Sequence, residues 1–529
     1  MNFKSFSFFL LLLIASVGIQ AQDKFIRLEI GDQAKKGLMS GSYGIVGETD
    51  DGFYSLRVTN QGAMIYMVPV GVTGELTLDK YSYGLELQQS LKLGDITMSL
   101  LNKAKGKTYE FFTQDENQDV WLFFYVAVGK INHLYRKKFD PEAFQFGSPM
   151  LVVEHAFAHK NLDRRASYYH IQSPDKSRQA IYSFSGEKKA TSALAYVEVF
   201  DEKFNSLWKF EDEALSFPLK GYDFSGSSLG KNPASGQQAC LTNDGVLTLL
   251  GGAIKWGGTK AFQPILFAFS SGTSAPQSTL LTDPAAPHII HTRMILDEAG
   301  QLVVFGLYHE HQKKGIQGTH YQRFEPASLE RILQKVSLFE AAQYEDFLVS
   351  ANGKTTKADL RLRKKLQSGK QGYISPFHAM GRLHMHANQS LTFSMESTDV
   401  SAAQTRKGNV YRYGDMVFLN ISGEGNINWI KNIQKKQEYK SPFPLGHGEL
   451  FKEDQLFFFF NDLETDVLRG GRINVDGEFR LAPLAKMTRS GSLGGFMPIP
   501  GGTVKLQDDS YLCAAIKTLK QRWIRMRIE

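Results

Sequence analysis

Cysteine is nearly absent: Cys240 and Cys513 are the 2 in 529 residues. A disulfide-rich scaffold is thereby excluded. Both thiols sit in apolar strand-like runs, "QQACLTND" and "SYLCAAI", and are expected to be small buried hydrophobes. Long hydrophobic runs are missing beyond the first twenty or so residues, and a membrane-spanning helix needs roughly 20 apolar residues. No transmembrane segment is therefore expected in the mature chain. Phosphate-binding glycine loops, nucleophile elbows and the HExxH zinc helix are missing too, which removes the best-marked nucleotide, acyl-transfer and metalloprotease chemistries. Charge of one sign is also in short supply. With 61 Lys and Arg against 54 Asp and Glu the formal charge is +7, too small for this length to imply a nucleic-acid partner. None is expected.

What the chain has in abundance is material for strands and turns. It holds 38 Phe, 21 Tyr and 48 Gly, residues that favour pleated sheets and tight turns over helices. The N-terminus "MNFKSFSFFLLLLIASVGIQAQ" has Lys4 ahead of an apolar run and small residues up to Ala21, the layout of a secretory signal peptide. Residues 1–21 are read as that signal and 22–529 as the mature protein. Export places it in the periplasm, on the cell surface or in the medium.

Repetition organises the mature chain. Polar turns followed by strongly β-prone runs recur as "ETDDGFYSLRV" (48–58), "QDENQDVWLFFYV" (114–126), "SPDKSRQAIYSFS" (173–185), "LTNDGVLTLLGGA" (241–253), "LDEAGQLVVFGLY" (296–308), "HANQSLTFSME" (386–396), "FKEDQLFFFFN" (451–461) and "LQDDSYLCAAI" (506–516). A hairpin follows most of them, as in "AYVEVFDEKFNSLWKFEDE" (195–213) and "MVFLNISGEGNINWIKNI" (416–433), where Asn205 aligns with Asn426 and Trp208 with Trp429. Two hairpins in about 60 residues make four strands, the unit of a β-propeller blade. The expected fold is all-β: one propeller of eight four-stranded blades, or seven if one repeat is an insertion. The eighth repeat ends one strand short at "RWIRMRIE" (522–529), and "KFIRLEI" (24–30) is available to complete it. Residues 339–378, of helical and basic composition, are expected to be a partly helical insertion between blades.

The blade around "YRYGDMVFLNIS", "GNINWIKNIQKKQ" and "GELFKEDQLFFFFND" resembles a group of secreted bacterial β-propeller proteins of unassigned function. That resemblance covers roughly residues 360–465. The glycine turn followed by Trp429 is also similar to the repeat of quinoprotein-type propellers, where the tryptophan packs blades together. Of a sialidase-type Asp box, Ser422 and Trp429 are present while Glu424 stands in place of the aspartate.

If the polar turns join first to second strands, the remaining loops share the opposite face, and these are rich in Lys and Arg. They include "SGEKKATSA" (185–193), "IKWGGTKAF" (254–262), "HEHQKKGIQG" (309–318), "DVSAAQTRKGNVYRYG" (399–414), "VLRGGR" (467–472) and "KKQEYKSPF" (435–443). A basic face opposite an acidic one favours an anionic partner: a sulfated or uronic glycan, another envelope component or an acidic protein surface. Candidate ligand-binding residues are Trp256, for stacking, with Lys255, His309, His311, Lys313, Arg406, Arg412, Arg469 and Arg472. His384 and His386 alternate on one strand and so share a side, but no third ligand converges and no metal or other cofactor is expected. The chain reads as a monomeric binding or scaffold propeller. The alternative is a glycan-active hydrolase or lyase, which would gather perturbed carboxylates and histidines at the central channel.

Overall fold

The computed structural model describes residues 25–529 apart from 32–33, 36–40, 62–63, 66–67, 70–72, 98–107, 116, 129–130, 157–167, 186–192, 216–236, 255–261, 283–288, 309–315, 341, 345–359, 362–363, 365–367, 369–377, 402–409, 440–444 and 518–519. Eight antiparallel sheets follow one another along the chain. Blades one to seven span 41–97, 108–156, 168–215, 239–280, 289–338, 378–439 and 447–486. Each polar turn picked out by the repeats joins the first strand of a blade to its second, and each hairpin with a second turn supplies the third and fourth. In the stretch 339–378 the described helical residues are 342–344, 360–361 and 364.

Blade eight is assembled from both ends of the described chain. Its first strand is broken into Met497–Pro498 and Val504–Lys505, followed by Tyr511–Lys517 and Lys520–Ile528. Ile26–Ile30 adds as the fourth strand, antiparallel to the last, with Ile26 opposite Ile528 and Ile30 opposite Ile524. The N-terminal strand therefore closes the ring.

Burial shows the order of strands from axis to rim. Middle strands such as Leu302–Tyr308 are buried throughout. Fourth strands are the most exposed, with Leu207, Leu280, Ile332 and Leu338 all half open to solvent. The first strands, intermediate in burial, line the axis. Because side chains alternate across a strand, each sheet sends one set toward the preceding blade and the other toward the next. Eight separate apolar clusters result, one for every neighbouring pair of blades. An open array of eight sheets would have seven such interfaces. The eighth, in which Phe53 and Tyr81 of blade one meet Leu512 and Trp523 of blade eight, is the mark of closure. Cys240 and Cys513 are both buried and unbonded, and burial pushes each thiol up to about 12.

Candidate functional site

The first-to-second and third-to-fourth turns lie on one face of the ring, because strands alternate in direction. These turns carry acidic residues: Asp50 and Asp51, Asp115 and Asp119, Asp297 and Glu298, Glu453 and Asp454, Asp508 and Asp509, then Asp201, Glu202, Glu325, Glu330, Asp476 and Glu478. Lys176 and Lys203 lie within these turns, and Arg178, Arg331, Lys452 and Lys505 stand at the adjoining strand ends. Many of the acids are turn builders. Asp201 accepts hydrogen bonds from the Lys203 and Asn205 backbone N–H groups, and Asp175 from that of Ser177, the role short acidic side chains play in tight turns. With the whole chain at +7, the positive excess must sit elsewhere.

Part of it lies on the opposite face. The connection from blade seven to blade eight, 487–496, is flanked by Lys486, Arg489 and Lys517. Lys517 donates from Nζ to the Gly494 carbonyl at 2.6 Å, and its ammonium and the Arg489 side chain both close on Gly495. The Arg522 guanidinium lies 4.1 Å from the centroid of the Phe496 ring, a cation–π contact. Sequence reading missed this patch because its cations are scattered over three segments with no motif among them. Blade seven departs from the pattern, since its second-to-third turn carries Glu464 and Asp466 on this face.

Of the residues expected to bind, Lys255, Trp256, His309, His311, Lys313 and Arg406 lie outside the described residues. Arg412 lies on the third strand of blade six and pairs with Glu438 at 2.9 Å. Arg469 pairs with Asp462 at 2.6 Å. Arg472 stands opposite Phe457 in the same strand as Arg469. These three belong to two blades, Arg412 to blade six and Arg469 and Arg472 to blade seven. The segment 467–472, expected to be a loop, is the body of a strand, Val467–Ile473: its glycines admit the neighbouring Phe458 and Leu484 side chains. Lys435, expected in a solvated basic loop, is instead buried against Glu396.

That pair belongs to a charged cluster between the inner strands of blades six and seven. His447 Nδ1 lies 3.4 Å from Glu396 Oε2, and its Nε2 lies 3.0 Å from Glu449 Oε1. His384 Nε2 contacts the other Glu449 oxygen at 3.1 Å. Ser394 Oγ is 2.9 Å from His447 Nε2 and also donates to Glu449. Lys435 is held by Glu396 and by Gln437 Oε1 at 2.7 Å. Burial pushes the His447 imidazole down, but the two carboxylates outweigh it and hold the group at about 9. Burial would raise the Glu449 carboxyl, yet hydrogen bonds from His384 and His447 bring it well below the ordinary range. Glu396 is likewise lowered, its burial outweighed by Lys435 and His447, while burial lowers the Lys435 ammonium against the pull of Glu396.

The expectation that His384 and His386 share a side holds, since both rings pack on Phe451 at about 5 Å. His386 Nε2 meets Thr392 Oγ1 at 2.7 Å. Among the described residues no group of three His, Cys, Asp or Glu side chains is arranged to hold a metal ion. Ser394, His447 and Glu396 follow the connectivity of a hydrolytic triad, but Ser394 is fully buried and Glu449 occupies the space beside its hydroxyl. The serine has no room for a substrate. His384 and Glu449, at 12% and 9% side-chain exposure, are the members nearest solvent.

No known family profile matches the chain, and no curated protein matches it. Similar solved structures include the polysaccharide lyase Uly1, at 10% identity over 82% of this chain and 93% of that one, TM-score 0.35. The WD40 domain of SCAP from fission yeast matches at 9% identity over 96% of this chain and 99% of that one, TM-score 0.35. The α-L-arabinanase of Penicillium chrysogenum matches at 9% identity over 69% and 94%, TM-score 0.31. The class is fixed by the chain's own strand pairing: an eight-bladed β-propeller closed by its N-terminal strand.

Proposed function

We propose that the protein is an exported binding propeller that engages an anionic glycan, envelope component or acidic protein surface through the face opposite its acidic turns. The observation that carries this reading is the separation of charge: acidic turns crowd one face of a chain that is net positive. On the other side the described cations Lys517 and Arg522 stand over Phe496, with Arg489 beside Gly495. Such a surface attracts polyanions and holds them through several weak contacts, with an affinity that falls as salt rises. The signal-peptide layout and the likeness to secreted propeller proteins support an extracytoplasmic setting. The test is binding of the mature chain to sulfated and uronic polysaccharides at low and physiological salt, beside a triple variant Arg489→Glu, Lys517→Glu and Lys313→Glu. Retention of the native chain, weakened by about tenfold or more in the variant, supports the reading. Equal behaviour of the two proteins defeats it.

A second reading rests on the blade six and seven cluster. Perturbed carboxylates beside histidines are what acid–base catalysis on a glycan requires, and His384 with Glu449, on the first strands of blades six and seven, is the pair closest to solvent. Release of reducing ends or unsaturated uronates from such polysaccharides, abolished by Glu449→Gln, would establish it.

A further inference from the structure

We infer that Arg293 forms an oxyanion site on the axial wall between blades five and six, taking a carboxylate, sulfate or phosphate group. It is separate from the basic face and stands whether or not that face binds a polymer.

Arg293 lies on the first strand of blade five, Ile289–Leu296, at a β-bulge where the register with the second strand shifts between Ile290 and Arg293. His291, within the bulge, has φ 51°, the left-handed region that costs a side-chain-bearing residue energy and is found where a bulge re-aims its neighbour. The guanidinium reaches out of this bulge to that of the next blade. Nη1 donates to the Thr292 carbonyl at 3.1 Å and Nη2 to the Met380 carbonyl at 3.4 Å, where the first strand of blade six shifts register between Met380 and Leu383. Nε is buried and has no partner.

Gln237 bounds the site toward blade four. Its carbonyl accepts from the Met294 N–H at 2.9 Å, and its side-chain amide grips the Leu383 backbone at both groups, 2.6 Å and 2.9 Å. One residue thus bridges three successive blades at the axis and fixes the walls around Arg293.

The charge balance is what points to a ligand. Three other enclosed cations face carboxylates, Arg57 meeting Asp79, Arg525 meeting Asp508 and Lys435 meeting Glu396, while Arg136 and Arg522 stack on aromatic rings. Arg293 meets backbone carbonyls only, and among the described residues no carboxylate lies within ion-pair distance. A desolvated cation without a counter-charge is unfavourable, and burial accordingly lowers its proton affinity. Nε–H is the guanidinium donor left without an acceptor, and an oxyanion seated against it would supply both the missing hydrogen bond and the missing counter-charge.

The experiment uses the mature full chain dialysed into a zwitterionic buffer low in chloride. Sodium sulfate, phosphate, acetate and chloride are titrated at matched ionic strength, following the melting temperature and the heat of binding. A saturable response at or below about 1 mM to at least one oxyanion, absent with chloride and absent in Arg293→Met, supports the site. Saturation by acetate assigns a carboxylate group, and saturation by sulfate or phosphate a tetrahedral one. Arg293→Lys keeps the charge without the Nε–H donor and is expected to bind about tenfold more weakly. A response that only rises linearly with salt, as general ion exclusion gives, overturns the inference. So does a saturable response that Arg293→Met and Arg293→Lys both retain at native strength.

Discussion

Glu396 is the residue on which two buried cations depend. Lys435 and His447 both lean on its carboxylate, so Glu396→Gln would leave two buried cations without their shared counter-charge. Removing one partner of a buried ion pair destabilises by about 3–5 kcal/mol, and chemical denaturation of Glu396→Gln is expected to show a loss of that size. His447 also ties stability to pH. Its folded value near 9 stands above the ordinary 6.5, so its contribution is complete below pH 6.5 and disappears as pH rises through about 9. Unfolding free energy is expected to fall over that window by on the order of 3 kcal/mol, and the slope is expected to flatten in His447→Gln. The lowered carboxyls act in the other direction: the stability they add is present above their ordinary 4.5 and is lost on acidification below it.

At the scale of elements, the aligned tryptophans explain themselves. Trp208 of blade three packs by the turn glycine Gly245 of blade four, and Trp429 of blade six by Gly477 of blade seven. Gly477 has φ +79°, and a Cβ there would lie 2.9 Å from the Trp429 ring, whose Nε1 donates to the Val475 carbonyl at 2.7 Å. Gly477→Ala is therefore expected to cost about 2 kcal/mol through strain and the displaced ring, visible as a lower denaturation midpoint at unchanged slope. The repeats were legible because turn chemistry and alternation are local: "NVDGE" and "SGEGN" specify a turn wherever they stand. The charged cluster was not, since its members come from three strands and a connection of two blades, and nothing near Lys435 in "IQKKQEYK" distinguishes it from a solvated lysine. Arg293 was hidden for the same reason. A bulge two residues before it, unmarked by glycine or proline, decides where its side chain goes.

For the whole molecule, closure rests on more than strand pairing. Arg525 holds Asp508, Ser510 and the Tyr83 carbonyl, and stands 3.8 Å from Glu29. Arg527 pairs with Glu29 at 3.1 Å, so the first strand, the last and blade one are joined by a single ionic knot. A chain beginning after Ile30 would expose the edge of Lys520–Ile528, and open edges recruit other strands. That truncation is expected to melt lower and to form larger species with concentration, as light scattering would report. Arg525→Met in the full chain is expected to lower the melting temperature without self-association, because the edge stays covered.

The strand pairing of Ile26–Ile30 with Lys520–Ile528 also sets a timetable. Ile26 has its partner at Ile528, so no stage of synthesis before that residue can offer the strand its native resting place. Until the C-terminus arrives, a β-prone ribbon must be kept from foreign partners, and sequence separation this large makes the final docking the slow event of maturation.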